Sequence, residues 1–220
     1  ISSEELRQWQ LKLLEILVYF KEFCEEHNLT FYLSYGTMLG AVRHKGFIPW
    51  DDDIDVSMPR EDYDKLYNLW ELYADKSKFT CCKTTKGNCI YFPMTLIRHN
   101  NTTCIYEHSK NHDICQGLKI DVEFLDGVPD NQFLRQKQKF FARIYALFST
   151  QRVPNAVTRS GRSIIRKIAK TLLSIFRSPE IRDRIWMYAE KQIKKYNFSD
   201  SKYIRHLGME LYKKEWFSTT

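Results

Sequence analysis

Tyr35-Gly36-Thr37-Met38-Leu39-Gly40-Ala41-Val42-Arg43-His44-Lys45-Gly46-Phe47-Ile48-Pro49-Trp50-Asp51-Asp52-Asp53-Ile54-Asp55-Val56 is the stretch on which the reading of this chain turns. Asp51, Asp52, Asp53 and Asp55 crowd into five positions and open directly onto an apolar run. Two carboxylates at about 4 Å repel by ~1 kcal/mol in water and several-fold more near a protein surface. A cation among them removes that conflict. Alternate side chains of a strand share a face, so Asp53 and Asp55 are expected to point together while Ile54 and Val56 enter the core. Such an arrangement suits a hard divalent ion that prefers oxygen ligands and leaves room for phosphate oxygens. A solvated acidic turn or a structural Ca²⁺ loop is the alternative.

Upstream, Gly36 allows a close backbone approach to a phosphate, and Thr37 offers a hydroxyl and an N–H. Fifteen residues separate Thr37 from Asp53. A Gly-Thr turn followed by Asp-x-Asp on a strand resembles the arrangement of DNA-polymerase-β-like nucleotidyltransferases, which calls for a third carboxylate from a later strand. Gly117-Leu118-Lys119-Ile120-Asp121-Val122-Glu123-Phe124-Leu125-Asp126 contains two candidates on one face, Asp121 and Glu123. Asp121 is preferred: between two β-branched neighbours at mid-strand, an unpaired carboxylate is costly without a metal. Asp126, beside Gly127, reads as a turn residue. Arg43, His44 and Lys45 lie between the turn and the carboxylates and are candidates to neutralise donor phosphates, with solvated loop charges as the alternative.

Outward from this stretch, Ser2 and Glu5 are spaced as a capping box, and Leu6, Trp9, Leu13, Ile16, Leu17, Phe20 and Cys24 recur at helical spacing, predicting a helix over 3–27. Short strands are expected at 31–34 and 54–58, the latter stopped by Pro59, with a helix over 60–74 after it. Further β-like pieces fall at 78–84, 92–99, 102–106 and 118–124 and should join one mixed sheet. Asp126-Gly127-Val128-Pro129 reads as a turn, and everything beyond it as helix, over 131–150, 160–177 and 179–196. The predicted fold is α/β (α+β): a mixed sheet with flanking helices over 1–130, then a basic helical portion over 131–220 facing a membrane or an acceptor.

The chain has 220 residues, 43% hydrophobic and 15% aromatic, enough for a sizeable core. Its net charge of +7 and pI near 9.0 suit a polyanionic or membrane-surface partner. Between Asn131 and Arg184 thirteen Lys or Arg face two acids, Glu180 and Asp183, so the excess is local. No nucleic-acid-binding motif accompanies it, and nucleic acid is not expected as a partner. Six cysteines at irregular spacing lack a disulfide or zinc pattern; Cys104, His108, His112 and Cys115 are a weak zinc alternative to reduced, mostly buried thiols. No apolar run reaches the roughly 18 residues of a bilayer span, and Ile-Ser-Ser-Glu-Glu is no signal peptide. A cytoplasmic protein is expected, peripheral at the inner face of the plasma membrane. Between Arg159 and Arg177 an apolar stripe opposite Arg162, Arg166, Lys167 and Lys170 predicts contact with anionic lipid, against packing onto the core as the alternative.

The segment from Tyr35 to Val56 is similar to the signature of the LicD family, which extends to fukutin-related proteins. Lys119-Ile120-Asp121-Val122 with Leu125-Asp126-Gly127-Val128-Pro129 resembles the family's second block. The resemblance covers about 1–130. It implies a nucleotidyltransferase-like fold and transfer of phosphocholine from CDP-choline to a sugar hydroxyl of a surface glycan precursor, teichoic acid or lipopolysaccharide, on a lipid-linked acceptor. Mg²⁺, with Mn²⁺ as a substitute, would be the cofactor and CMP the product. On that resemblance Asp53, Asp55 and Asp121 hold metal, Asp121 doubles as general base, and Gly36 and Thr37 meet donor phosphate, with Arg43, His44, Lys45 and Trp50 as further substrate contacts. A quaternary ammonium on the donor would find aromatic faces among Tyr35, Phe47, Trp50, Tyr91 and Phe92. Two departures stand out: Glu123 where an apolar or aromatic residue followed by Pro is commoner, and an end at Thr220 where relatives continue past Lys214-Glu215-Trp216-Phe217 into an acidic, Tyr-rich tail. Competing functions are NMP transfer from an NTP, transfer of phosphoethanolamine, glycerol phosphate or sugar phosphate, and an idle membrane-bound scaffold.

Overall fold

Ser2 caps the first helix as its spacing to Glu5 predicts. The Ser2 hydroxyl accepts from the Glu5 N–H at 3.2 Å, and the Glu5 carboxylate accepts from the Ser2 N–H at 2.7 Å, satisfying two donors that a helix start otherwise leaves open. A computed structural model describes residues 2–105, 110–111, 114–151, 153, 163–207 and 211–217. The first helix, α1, runs Ser3–Glu26 and buries Leu13, Ile16, Phe20, Phe23 and Cys24 on one stripe. The chain divides into two compact units, 1–83 with 94–125, and 84–93 with 126–220.

In the first unit α1 is followed by β1 (Tyr32–Leu33), α2 (Tyr35–His44), β2 (Asp55–Pro59), α3 (Arg60–Tyr73), β3 (Phe79–Cys82), β4 (Thr95–His99) and the start of β5 (Lys119–Val128). The strand order is β1-β2-β5-β4-β3, with β2 and β5 parallel and the other pairs antiparallel. A parallel pair needs a long crossover, here α3, β3 and β4, and it brings the entrances of β2 and β5 to the same end. That end carries the carboxylates. The β2 run is buried from Val56 onward because it is central in this order. From α3, Tyr63, Leu66 and Trp70 are buried; the Trp70 ring lies 4.7 Å from Phe23 and 5.6 Å from Tyr19, so α1 and α3 meet over one indole. Replacing such a ring by Ala costs about 3–5 kcal/mol.

The strand expected at 102–106 does not form over 102–105. The Thr102 hydroxyl accepts from the Leu118 N–H and donates to the His99 carbonyl, each at 2.8 Å. A side chain thereby takes over hydrogen bonds that a ladder would have made. All six cysteines are free thiols, while His108 and His112 lie outside the described residues.

The second unit holds α4 (Gln132–Thr150), α5 (Ser163–Ile175) and α6 (Pro179–Ile193). Asn131 caps α4 by accepting from the N–H groups of Phe133 and Leu134 at 2.9 and 3.1 Å. Ala142, Tyr145 and Phe148 of α4 are buried, as are Trp186, Ala189 and Ile193 of α6. Two expectations fail here. Asp126-Gly127-Val128 is not a turn but the end of β5, paired with β6 (Tyr203–Arg205), which pairs in turn with β7 (Tyr212–Lys213). The portion past 131 is therefore not all helix. Turn-like composition is overridden because the returning chain packs on Gly127, where a Cβ would lie 2.3 Å from the Asn197 carbonyl. Asp126 is fully buried opposite Arg205, so a charge partner some eighty positions on, rather than a local turn, accounts for it.

Candidate active site

Asp55 is the first residue of β2, and its register partner on the parallel strand β5 is Asp121. The Asp121 N–H donates to the Ile54 carbonyl at 2.9 Å, and the Ser34 N–H donates to the Asp55 carbonyl at 3.0 Å. Both carboxylates are thus held by backbone ladders. Ile54 and Val56 are buried on the opposite face, as the alternation predicts. Asp53 stands one step outside the strand, in the loop that leads into it.

That loop is anchored from α1. The Trp9 indole N–H donates to the Asp52 carbonyl at 2.7 Å, and the buried Gln10 side chain donates to the Asp51 carbonyl at 2.9 Å. With their backbones pinned, Asp51, Asp52 and Asp53 bring carboxylate oxygens within 4.8 Å of one another, close enough to share a metal ion. The anchors Trp9 and Gln10 escape the sequence reading; the one available signal is a polar Gln10 where the helical stripe places a buried position.

Charge is unbalanced at this point of the molecule. Burial pushes the Asp55 carboxyl up to about 7, helped by the negative fields of Asp121, Asp53 and Glu123. Asp53 is raised by burial and then by Asp52 and Asp121, and Asp51 by burial and then by Asp53 and Asp52. Lys119 opposes the rise at Asp53 and Asp55. Its ammonium is ion-paired directly to Asp121, with both side chains largely buried. Lys119, Asp121 and Glu123 share one face of β5 by the period of two; that Lys119 is the built-in counter-cation is legible in hindsight from this alternation.

Thr37 and Gly36 lie in the first turn of α2 rather than in an open turn. The Thr37 hydroxyl accepts from the Asp55 N–H at 2.9 Å and so ties α2 to the start of β2. A Cβ at Gly36 would lie 2.7 Å from an Asp51 carboxylate oxygen, so only glycine lets that carboxylate close on the helix. Tyr35 opens α2 with φ 46°, a left-handed conformation that few side chains adopt. Its phenol donates to Glu123 at 2.9 Å, which makes Tyr35 a positioning residue for the fourth carboxylate as well as an aromatic face.

Arg43 and His44 form the exposed last turn of α2 and Lys45 its left-handed cap, where cations also complement the helix dipole. Of the three, Lys45 lines a cleft of about 480 Å³ with Thr37, Asp51, Phe47, Ala41 and Ile54. Trp50 is 77% exposed, an unusually wet indole beside the acidic loop. Tyr91 and Phe92 belong to the second unit, and Phe92 is buried there.

A carboxylate cluster at the mouth of a parallel strand pair, with a helix start tied to it, defines the class; residues 28–156 match the family described as LicD/FKTN/FKRP, nucleotidyltransferase domain. The chain belongs to the LicD family. It is 52% identical over 65 residues to the lipopolysaccharide cholinephosphotransferase LicD of Haemophilus influenzae, across 30% of this chain and 24% of that protein. An uncharacterised protein of Rickettsia prowazekii is 34% identical over 68 residues, across 28% of this chain and 26% of the relative. The similarity to these curated relatives thus spans about a quarter of their length.

Proposed function

We propose that this protein transfers phosphocholine from CDP-choline to a sugar hydroxyl of a surface glycan precursor, of the teichoic acid or lipopolysaccharide kind, and releases CMP. The observation that carries the reading is the pairing of Asp55 with Asp121 across adjacent parallel strands, with Asp53 at their entrance. The donor atoms are all carboxylate oxygens, and Asp53 and Asp55 are held above their ordinary range by burial and by neighbouring carboxylates, which fits Mg²⁺, or Mn²⁺ in its place. When bound, the ion would offset charge on the donor phosphates. Asp53, Asp55 and Asp121 would hold it, Glu123 would complete the shell, and Asp121 would accept the proton of the acceptor hydroxyl.

The similarity to the Haemophilus influenzae cholinephosphotransferase supports the choline head group. The cleft has apolar walls at Ala41, Ile54 and Phe47 and carries one carboxylate, Asp51, beside two cations, Arg7 and Lys45. A quaternary ammonium gains about 0.5–2 kcal/mol over an aromatic face and needs no hydrogen-bond acceptors. Lys45 and Thr37 in the same cleft suit a phosphate.

The test is a comparison of CDP-choline, CDP-ethanolamine, CDP-glycerol and CTP with purified protein and Mg²⁺, reading CMP and pyrophosphate separately. CMP release fastest from CDP-choline is the expected outcome. Equal or faster turnover of the other CDP donors would move the head group, and pyrophosphate from CTP would replace the reaction by nucleotidyl transfer.

A further inference from the structure

We propose that α5 is a docking surface for an anionic lipid bilayer. The sequence from Arg152 to Pro179 carries seven Lys or Arg and no Asp or Glu. Within it α5 is a 13-residue helix in which, among the described side chains, none is fully buried.

The side chains divide by helical period. Ala169, Leu172, Leu173 and Phe176 are half-buried on one arc, and this arc is fixed to its own unit: Phe176 packs edge-on against Phe148 at 5.9 Å, and Arg182 donates to the carbonyls of Leu173 and Phe176 at 2.9 and 2.6 Å. Ile164, Ile168 and Ile175 form a second arc and are 73%, 55% and 64% exposed. Lys167 borders that arc and Lys170 follows it, both exposed. An aliphatic stripe flanked by cations lies in an interface plane, with apolar tips below the headgroups and ammonium groups reaching back to them.

Charge chooses among the possible occupants. A second copy of the same face would set Lys167 and Lys170 against their own like charges, and a nucleic acid would meet aliphatic tips that neither stack on bases nor hydrogen-bond to them. An anionic leaflet satisfies both the stripe and the cations. No helix among the described residues is long and apolar enough to cross a membrane, so the contact is one of lying on the surface.

Co-sedimentation of the 220-residue chain with vesicles of phosphatidylcholine, alone or mixed with phosphatidylglycerol, tests the proposal without any turnover, so its failure is separate from failure of the CDP-choline assay. The chain is expected to pellet with the mixed vesicles, to remain in solution with phosphatidylcholine alone, and to be released by salt. Each basic residue at such a surface multiplies binding by roughly fivefold; Lys167→Glu with Lys170→Glu should therefore weaken it by at least about twentyfold. Ile168→Glu should weaken it by about tenfold or more, with Ile164→Glu as an independent second variant, both with unchanged melting because the positions are exposed. Equal binding to neutral vesicles, no binding to either, or binding indifferent to Ile168→Glu and Ile164→Glu would each overturn the proposal. Concentration-dependent dimerisation without lipid that Ile168→Glu abolishes would overturn it in favour of self-association.

Discussion

The acidic entrance of β2 and the helix α5 are opposite in charge and opposite in how they are held. Asp51 to Asp55 is clamped by Trp9, Gln10, Thr37 and the strand ladder, so like charges cannot move apart, and burial, with their repulsion, raises the pKa values of Asp51, Asp53 and Asp55. In α5 no described side chain is fully buried and Arg166, Lys167 and Lys170 are already in water. Unmet charge inside a rigid frame marks a site for a small, hard ligand. Unmet apolar surface on the outer arc of a helix marks an extended partner. The difference predicts that substitutions in the first region change chemistry and proton affinity, whereas those in the second change association and leave both alone.

The largest effect should come from Asp53→Asn, Asp55→Asn or Asp121→Asn, each lowering Mg²⁺-dependent CMP release by at least about a hundredfold, because Asn keeps the volume and removes the charge that a metal site built on few carboxylates cannot spare. Near-normal turnover of Asp53→Asn would break the phosphotransferase reading. Near-normal turnover of Asp121→Asn would pass its role to Glu123, which Tyr35 holds in place. Next in size, Lys119→Met removes the cation that competes for Asp121. Mn²⁺ binding followed by calorimetry should tighten by about tenfold, since roughly 1.4 kcal/mol of competing ion pairing in a largely buried site disappears. Unchanged or weaker binding would show that Lys119 supports the metal instead of standing in for it.

The acid–base consequence is smaller and carries a definite sign. Folding raises Asp55 from its ordinary 3.8 to about 7, so between those values the folded chain holds a proton that the unfolded chain has released. Stability of the metal-free protein therefore falls as pH rises through that window, and the loss is complete above it. Asp55→Asn should melt several degrees higher than the parent at pH 8, by the usual 2–4 °C per kcal/mol for a chain of this size, and the gap should close toward pH 4. A lower melting temperature at pH 8 would identify the cluster as a structural salt bridge. Smallest of all, Ile168→Glu and Lys170→Glu should shift melting by no more than about 0.5 kcal/mol equivalent and leave CMP release on a soluble acceptor unchanged. A large destabilisation there would show that the stripe packs inside the protein, and the contrast between the two regions would collapse.

Much of this was written in local pattern. The helical stripes of α1, α3, α4 and α6, the capping box at Ser2 and Glu5, the run from Ile54 to Met58 and the clustering of Asp51, Asp52, Asp53 and Asp55 are periodicities and repulsions between near neighbours, which a sequence displays directly. What the chain alone left open depends on partners far along it. Asp126-Gly127 has the composition of a turn and becomes strand because Arg205 and Ile204 return to pair with it. Gly36 and Thr37 belong to a helix start because Thr37 finds the Asp55 N–H. Which acid of β2 faces Asp121 was decided by the parallel register of β2 on β5, which no local propensity encodes. Residue types and spacing determined that carboxylates would gather at a strand entrance; only tertiary pairing decided which of them face each other and what holds them there, because strand partners are chosen by packing across the sheet and not by neighbours in sequence.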